Sequence, residues 1–215
     1  MENDANSKEY FDGLAPQWDD LRRNYFPESV REKALDTAGV RPGATAADIG
    51  AGTGFITEAL LARGLKVIAV DQSPAMLDTL RAKFAGRGEV ECRVGEAGHL
   101  PLPDQGVDYV FANMFLHHVE SPAGTLRDMA RALKHGGRLV ITDLDQHHFE
   151  FLRTELHDRW LGFRRDDLKT WLADAGLQDV SVEGVGEDCS AASVTATATG
   201  GEQAVVSILI ASGTK

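Results

Sequence analysis

The residue types suited to chemistry in this chain sit at the ends of short apolar runs. Residues 46–54 read Ala-Ala-Asp-Ile-Gly-Ala-Gly-Thr-Gly, so one run ends in Asp48 and three glycines follow at alternate positions, Gly50, Gly52 and Gly54. A helical pattern opens immediately after, with Phe55-Ile-Thr-Glu-Ala-Leu-Leu-Ala. Strand, glycine turn and helix N-terminus in that order make a ligand-binding corner, where glycine permits a sharp turn and a close approach of ligand to backbone. The dinucleotide fingerprint G-x-G-x-x-G sets a pyrophosphate on the helix N-terminus. Here the spacing is G-x-G-x-G behind an acid, and Asp48 suits a cationic ligand and would repel a diphosphate. Asp71 ends the next run, Val67-Ile-Ala-Val-Asp71. An acid about 20 residues past such a turn accepts both hydroxyls of a ribose.

Groups suited to proton transfer cluster further on. His117 and His118 are adjacent, so at the start of a helix they cannot both face a pocket. His117, nearer the preceding run, is the favoured one. Asp143-Leu-Asp-Gln-His-His148 follows another apolar run. Open α/β sheets bind ligands at the carboxyl ends of their strands, where histidine can act as a base or a metal ligand. His117, Asp143 and His148 are the candidate catalytic residues. A divalent ion could draw on Asp143, Asp145, His147 or His148 with His117, but no fixed spacing matches a metal motif, so no metal is assigned.

The elements that must position these groups alternate. Strand signals fall at 44–49, 66–70, 90–94, 107–112 and 137–142, each short and rich in Val, Ile, Leu or Ala. Helical patterns lie at about 54–63, 74–85, 122–134, 148–160 and 166–175. Ser73-Pro74 and Ser121-Pro122 read as helix starts, and Gly64, the pair Gly136-Gly137 and Gly176 as stops. This order predicts a doubly wound parallel α/β sheet with right-handed crossovers. Strand-like Val180–Glu183 and Ala204–Ala211 follow, and should pair antiparallel. Ser190 to Gly201, mostly Ala, Ser, Thr and Gly, reads as a mobile connection.

With 215 residues, 43% hydrophobic and 26% charged, the chain can bury a full core. The net charge of −11 and the lack of a long basic patch argue against nucleic acid or an anionic membrane as partner. Two cysteines, Cys92 and Cys189, make no disulfide framework, so a reducing, cytoplasmic setting is expected. The polar N-terminus does not read as a signal peptide, and no apolar run approaches the roughly 18 residues of a membrane span.

D-x-G-x-G-x-G resembles motif I of the class I methyltransferases that use S-adenosylmethionine, whose ammonium and sulfonium agree with the charge of Asp48. Other stretches resemble the same family. Asp71-Gln72 resembles its second motif, with Met76 against the adenine. Val94-Gly-Glu-Ala resembles the segment where an acid and its neighbour hold the adenine edge, here Glu96 and Ala97. Phe111-Ala-Asn-Met-Phe-Leu-His-His-Val119 resembles the L-H-H-V-x-x-P stretch of ubiquinone and menaquinone C-methylating enzymes, with Asn113 near the sulfonium. Tyr10-Phe-Asp-Gly-Leu-Ala-Pro-Gln-Trp-Asp19 is similar to their F-D-x-x-A-x-x-W-D opening.

The resemblance implies a Rossmann-like, seven-stranded sheet closed by an antiparallel hairpin, over residues 41–215. It implies a helical lid over residues 1–40, with Tyr10, Trp18 and Tyr25 lining it. It implies a cofactor wall of Tyr10, Trp18, Asp48, Gly50, Ala51, Gly52, Asp71, Gln72, Met76, Glu96, Ala97 and Asn113, and a small-molecule acceptor. Residues 148–163 resemble a segment of methyltransferases fused to arsenic-repressor-type regulators. The several cysteines that arsenite methylation would need are missing, which sets arsenic aside. Trp160 and Phe163 could wall an apolar acceptor. A nucleotide-dependent oxidoreductase and a non-catalytic cofactor-binding module remain as alternatives, and the sequence leaves a homodimer open.

Overall fold

The computed structural model describes residues 2–193 and 203–215. Seven strands form one sheet: β1 (Thr45–Ile49), β2 (Lys66–Asp71), β3 (Val90–Val94), β4 (Val107–Asn113), β5 (Leu133–Leu144), β6 (Gln178–Ala192) and β7 (Gln203–Thr214). Their order is β3-β2-β1-β4-β5-β7-β6, with β7 antiparallel to both of its neighbours and the other pairs parallel. The chain reverses direction across the sheet between β1 and β4, which is where a doubly wound sheet opens a crevice at its carboxyl edge.

Helices cover both faces. On one side α3 (Ser29–Ala38) and α4 (Phe55–Ala62) bury Val30, Leu35, Ile56 and Leu60 against Ala46, Phe111 and Ile210. On the other, α6 (Pro122–Ala132) and α8 (Arg165–Asp174) bury Leu126, Met129, Leu168 and Leu172 against Ala47, Val110, Ile141 and Leu209. Neighbours such as Val110 and Phe111 thus serve opposite faces, as strand alternation requires. α5 (Pro74–Phe84) covers β2 and β3; Ser73 caps it by accepting the Met76 amide at 3.1 Å. Among the described residues no helix is long and apolar enough to cross a membrane.

The segment before β1 has two parts. α3 belongs to the helical layer just described, whereas α1 (Glu2–Leu14), a short 3-10 turn and α2 (Trp18–Arg22) lie over the carboxyl edge of the sheet. Polar contacts hold them there. Asp12 accepts from Ser73 Oγ at 2.5 Å, and Asp19 meets both Thr53 Oγ1 at 2.6 Å and Lys83 Nζ at 2.8 Å.

Several boundaries differ from the sequence expectation. The helix expected to run to 134 stops at Ala132, and β5 starts at Leu133, so Gly136-Gly137 lies within a strand rather than after a helix. The helix expected over 148–160 is only α7 (Phe151–Glu155), because Leu156 to Phe163 turns back along the sheet edge and pairs with Asp145. β6 is much longer than Val180–Glu183. It has a register shift between Gly184 and Asp188, as a bulge produces, and includes Ser190 to Ala192 of the expected connection. Residues 194–201 of that connection lie outside the described residues.

Candidate active site

One cavity of about 500 Å³ opens at the carboxyl edge, between the sheet and the α1–α2 cover. Tyr10, Trp18, Asp48, Gly50, Ala51, Gly52, Asp71, Gln72, Met76, Glu96, Ala97, Asn113 and His117 all line it, and so does Tyr25. His148 does not; it lies exposed on the loop after β5, since the chain there runs outward rather than into a helix over the site.

The glycine turn is built by packing as well as by space for a ligand. Gly50, Gly52 and Gly54 have φ of 67°, 52° and 94°, values that favour glycine. A Cβ on Gly50 would come within 2.3 Å of the Phe115 ring, and one on Gly54 within 2.5 Å of Phe84. Gly52 faces the Trp18 indole, at 3.5 Å from the same imagined atom. Asp48 is buried and spends Oδ2 on Thr57, accepting from its amide at 2.9 Å and its hydroxyl at 2.7 Å. It thereby anchors the first turn of α4. Burial pushes its carboxyl up to about 7 against those two bonds, with the Asp71 charge adding to the rise.

Asp71 braces the turn from the other side. Its Oδ2 accepts from Gly52 N at 2.8 Å and its Oδ1 from Ser73 N at 2.9 Å. Burial raises its carboxyl above the usual range, opposed by these amides. Each oxygen retains acceptor capacity toward the cavity. Asn113, at the end of β4, accepts from Thr142 Oγ1 at 2.7 Å, which fixes the side-chain amide across the strands.

At the far end lies a charge cluster. His117 Nδ1 is 2.7 Å from Oδ1 of Asp143, which is fully buried and also accepts from the Leu116 and Leu144 amides. Asp143 stands behind the imidazole rather than in the cavity wall. His117 Nε2 is left as the free ring nitrogen, 3.7 Å from Asp158 Oδ1. Burial alone would lower the His117 pKa, but Asp143 and Asp158 overcome it and push it up to about 9.

His118 also lines the cavity, which corrects the expectation that only one of the pair would. Leu116–His118 is a 3-10 turn, and the two rings lie against each other at a tilt of 48°, with centroids 4.0 Å apart. Burial, then the neighbouring His117 charge, holds His118 well below the usual histidine range. Donor atoms of His117, His118 and Asp158 lie within 4.8 Å of one another. Asp145 is taken up by Arg165, and His147 Nδ1 accepts from Phe149 N.

Between these ends the wall is apolar. Leu144, Leu152, Ala191, Ala204 and Val206 form one buried cluster with Tyr25, Leu156 and Cys189 packed on it. The β6–β7 arm supplies four of these residues, and Ser190 N donates to Tyr25 O at 3.0 Å, tying that arm to the cover. Trp160 and Phe163 take no part. Phe163 sits in the core against Trp171, and the Trp160 indole donates to Val119 O on the outside. Arg22, Phe115 and Asp158 also line the cavity, though nothing in their residue type or spacing singles them out as site residues.

A parallel α/β sheet with a cavity at its reversal point, an acid ending the second strand and a glycine turn after the first defines a nucleoside-binding enzyme fold. Comparison with known proteins sharpens this. Residues 47–141 match the family described as methyltransferase domain. A demethylmenaquinone methyltransferase of Renibacterium salmoninarum is 29% identical over 202 residues, covering 80% of this chain and 83% of that one. An uncharacterized methyltransferase of Mycobacterium bovis is 41% identical over 118 residues, covering 55% of this chain and 45% of the relative. The structure of a SAM-dependent methyltransferase from Aquifex aeolicus superposes with a TM-score of 0.68 at 23% identity, covering 96% of this chain and 97% of that one. The chain is thus similar to the S-adenosylmethionine-dependent methyltransferases and shares their fold.

Proposed function

We propose that the protein methylates a small molecule that has an apolar body and an acidic hydroxyl of phenol or enol type. The bound cofactor would supply a methyl group on a sulfonium, an electrophile that needs no further activation. What remains for the protein is alignment, exclusion of water and removal of the acceptor's proton. Asp71 would accept from the ribose hydroxyls, Met76, Glu96 and Ala97 would hold the adenine, and the Gly50–Gly52 backbone with Asn113 would flank the amino-acid end. The site fits such a group: the Asp71 carboxylate, the glycine turn, Met76 and Ala97 all line the same cavity.

The observation that carries the reading is the buried Asp143–His117 pair, 2.7 Å apart, at the end of the same cavity. Asp143 fixes the ring so that Nε2 is the nitrogen offered to the acceptor. The acceptor's O–H bond would break with its proton going to Nε2, and its electron pair would form the new bond to the methyl carbon as the methyl–sulfur bond breaks and a neutral thioether leaves. A base with a raised pKa is matched to a hydroxyl of similar acidity. The apolar cluster of Leu152, Leu156, Ala191 and Val206 would take the body of the acceptor. The Renibacterium relative is named for demethylmenaquinone, which makes that compound one acceptor to try.

A panel of phenols, quinols and enols incubated with protein and S-adenosylmethionine tests this by S-adenosylhomocysteine release. Turnover with an acidic hydroxyl compound, lost by about 100-fold or more in His117→Ala, is expected for a general base. Turnover that is independent of His117 would contradict it.

A further inference from the structure

Arg22 is a buried cation that the fold leaves incompletely satisfied. It is 5% exposed and ends α2. Nη2 donates to Glu28 Oε1 at 3.0 Å, while Nε and Nη1 are buried with no hydrogen-bond acceptor. Glu28 does not neutralise it alone, because its other oxygen meets Arg31 Nη2 at 2.6 Å. The guanidinium lies over the Phe55 ring, 4.2 Å from its centroid, and a ring face offers no lone pair to an N–H. Buried donors without acceptors are a cost to the folded state unless a ligand supplies them.

Its place says which ligand group would. Phe55 follows the glycine turn directly, and Arg22 lies one helical turn after Trp18, whose indole faces Gly52. Both side chains therefore look from α2 onto the turn. Asp71, Met76 and Glu96 belong to the β2–β3 side of the sheet, whereas Arg22 covers Phe55, which shares a cluster with Tyr109 and Phe111 of β4, so a nucleoside held by the former has its remaining chain to extend toward the latter. Among the described cavity residues, Arg22 is the one buried Lys or Arg, Lys8 being exposed. S-Adenosylmethionine carries two positive charges and a single anion, its carboxylate. That anion needs a cation, and Arg22 is the one the cavity buries.

We infer that Arg22 is the carboxylate-binding residue of the cofactor site, and that α2 is held over the turn to deliver it. This rests on the S-adenosylmethionine reading of the cavity. The test is calorimetric titration with S-adenosylhomocysteine and with 5′-deoxy-5′-(3-aminopropylthio)adenosine, the same molecule without its carboxylate. Wild-type protein should prefer the former by roughly 10- to 100-fold, as expected for hydrogen bonds to a charged group. Arg22→Met should remove most of that preference by weakening S-adenosylhomocysteine alone, and Arg22→Lys should restore part of it.

Equal affinity of the wild type for both ligands would overturn the inference with no variant needed. Equal loss of both ligands in Arg22→Met would also overturn it, and would mark Arg22 as a structural support for the cover. An unchanged cofactor affinity with a raised KM for the acceptor would move the anion to the acceptor and overturn it too. Wild-type protein that binds neither ligand would instead bring down the cofactor reading itself.

Discussion

Two buried carboxyls near this site have different partners. Asp143 faces an imidazole and two amides, whereas Asp48 is buried with a hydroxyl and an amide of Thr57. His117 must be neutral to accept a proton. It faces Asp143 from β5 and Asp158 from the loop after α7, with the rings of His118 and, further off, His147 beside it. Methyl transfer to an acidic hydroxyl should therefore rise with pH to a plateau above about 9. Asp143→Asn removes one of the two carboxylates that lift the histidine, so it should shift that limb to lower pH and reduce the plateau rate. A pH profile of kcat/KM for both proteins checks this.

Asp48 gives the opposite kind of effect, on stability. Its folded pKa of about 7 exceeds the ordinary 3.8, so the folded state binds the proton more tightly. That stability is complete below the lower value and declines as pH rises through the upper. Asp48→Asn, which still offers an oxygen to Thr57, should flatten the dependence of Tm on pH across that interval. An unchanged slope would argue that Asp48 is ionised in the fold.

Helices and strands place these groups, and the turn after β1 is the most constrained element. Gly54→Ala would put a Cβ at φ 94° and 2.5 Å from Phe84. Strain alone costs about 1–3 kcal/mol at such positions, so thermal unfolding should show a clear drop in Tm. The α1–α2 cover depends on fewer bonds. Asp19→Ala removes both Thr53 and Lys83 as partners of α2. Its ion pair is partly exposed and should contribute below about 1 kcal/mol to global stability, yet S-adenosylhomocysteine affinity should fall because α2 is released from the turn. Titration alongside thermal unfolding separates the two effects.

The strand ends were legible in the sequence because a parallel strand is a short apolar run, and its last polar residue marks the binding edge. Asp48, Asp71, Asn113 and Asp143 all follow that rule. His118 was not legible, since a 3-10 turn of three residues leaves no periodicity and overrides the spacing of an α-helix. Nor were Arg22 and Asp158, which reach the cavity through tertiary packing from segments with no strand or turn signal. The apolar end of the cavity was hidden for a related reason. It is built from β6 and β7 beyond their expected limits, and small residues such as Ala191 and Ala204 carry little hydrophobic pattern.

At the scale of the molecule, one cavity joins a nucleoside-binding wall, a charged dyad and an apolar arm, and the cover closes over all three. A ligand that bridges sheet and cover should stabilise them together. With S-adenosylhomocysteine at about 100 times its dissociation constant, unfolding should become harder by roughly 2.7 kcal/mol, visible as a rise in Tm. The most direct test of the account is calorimetric titration of the folded protein with S-adenosylhomocysteine, beside Asp71→Ala. One-to-one binding by the wild type, strongly weakened in the variant, is the predicted result. No binding by the well-folded wild type, or equal affinity in the variant, would contradict it.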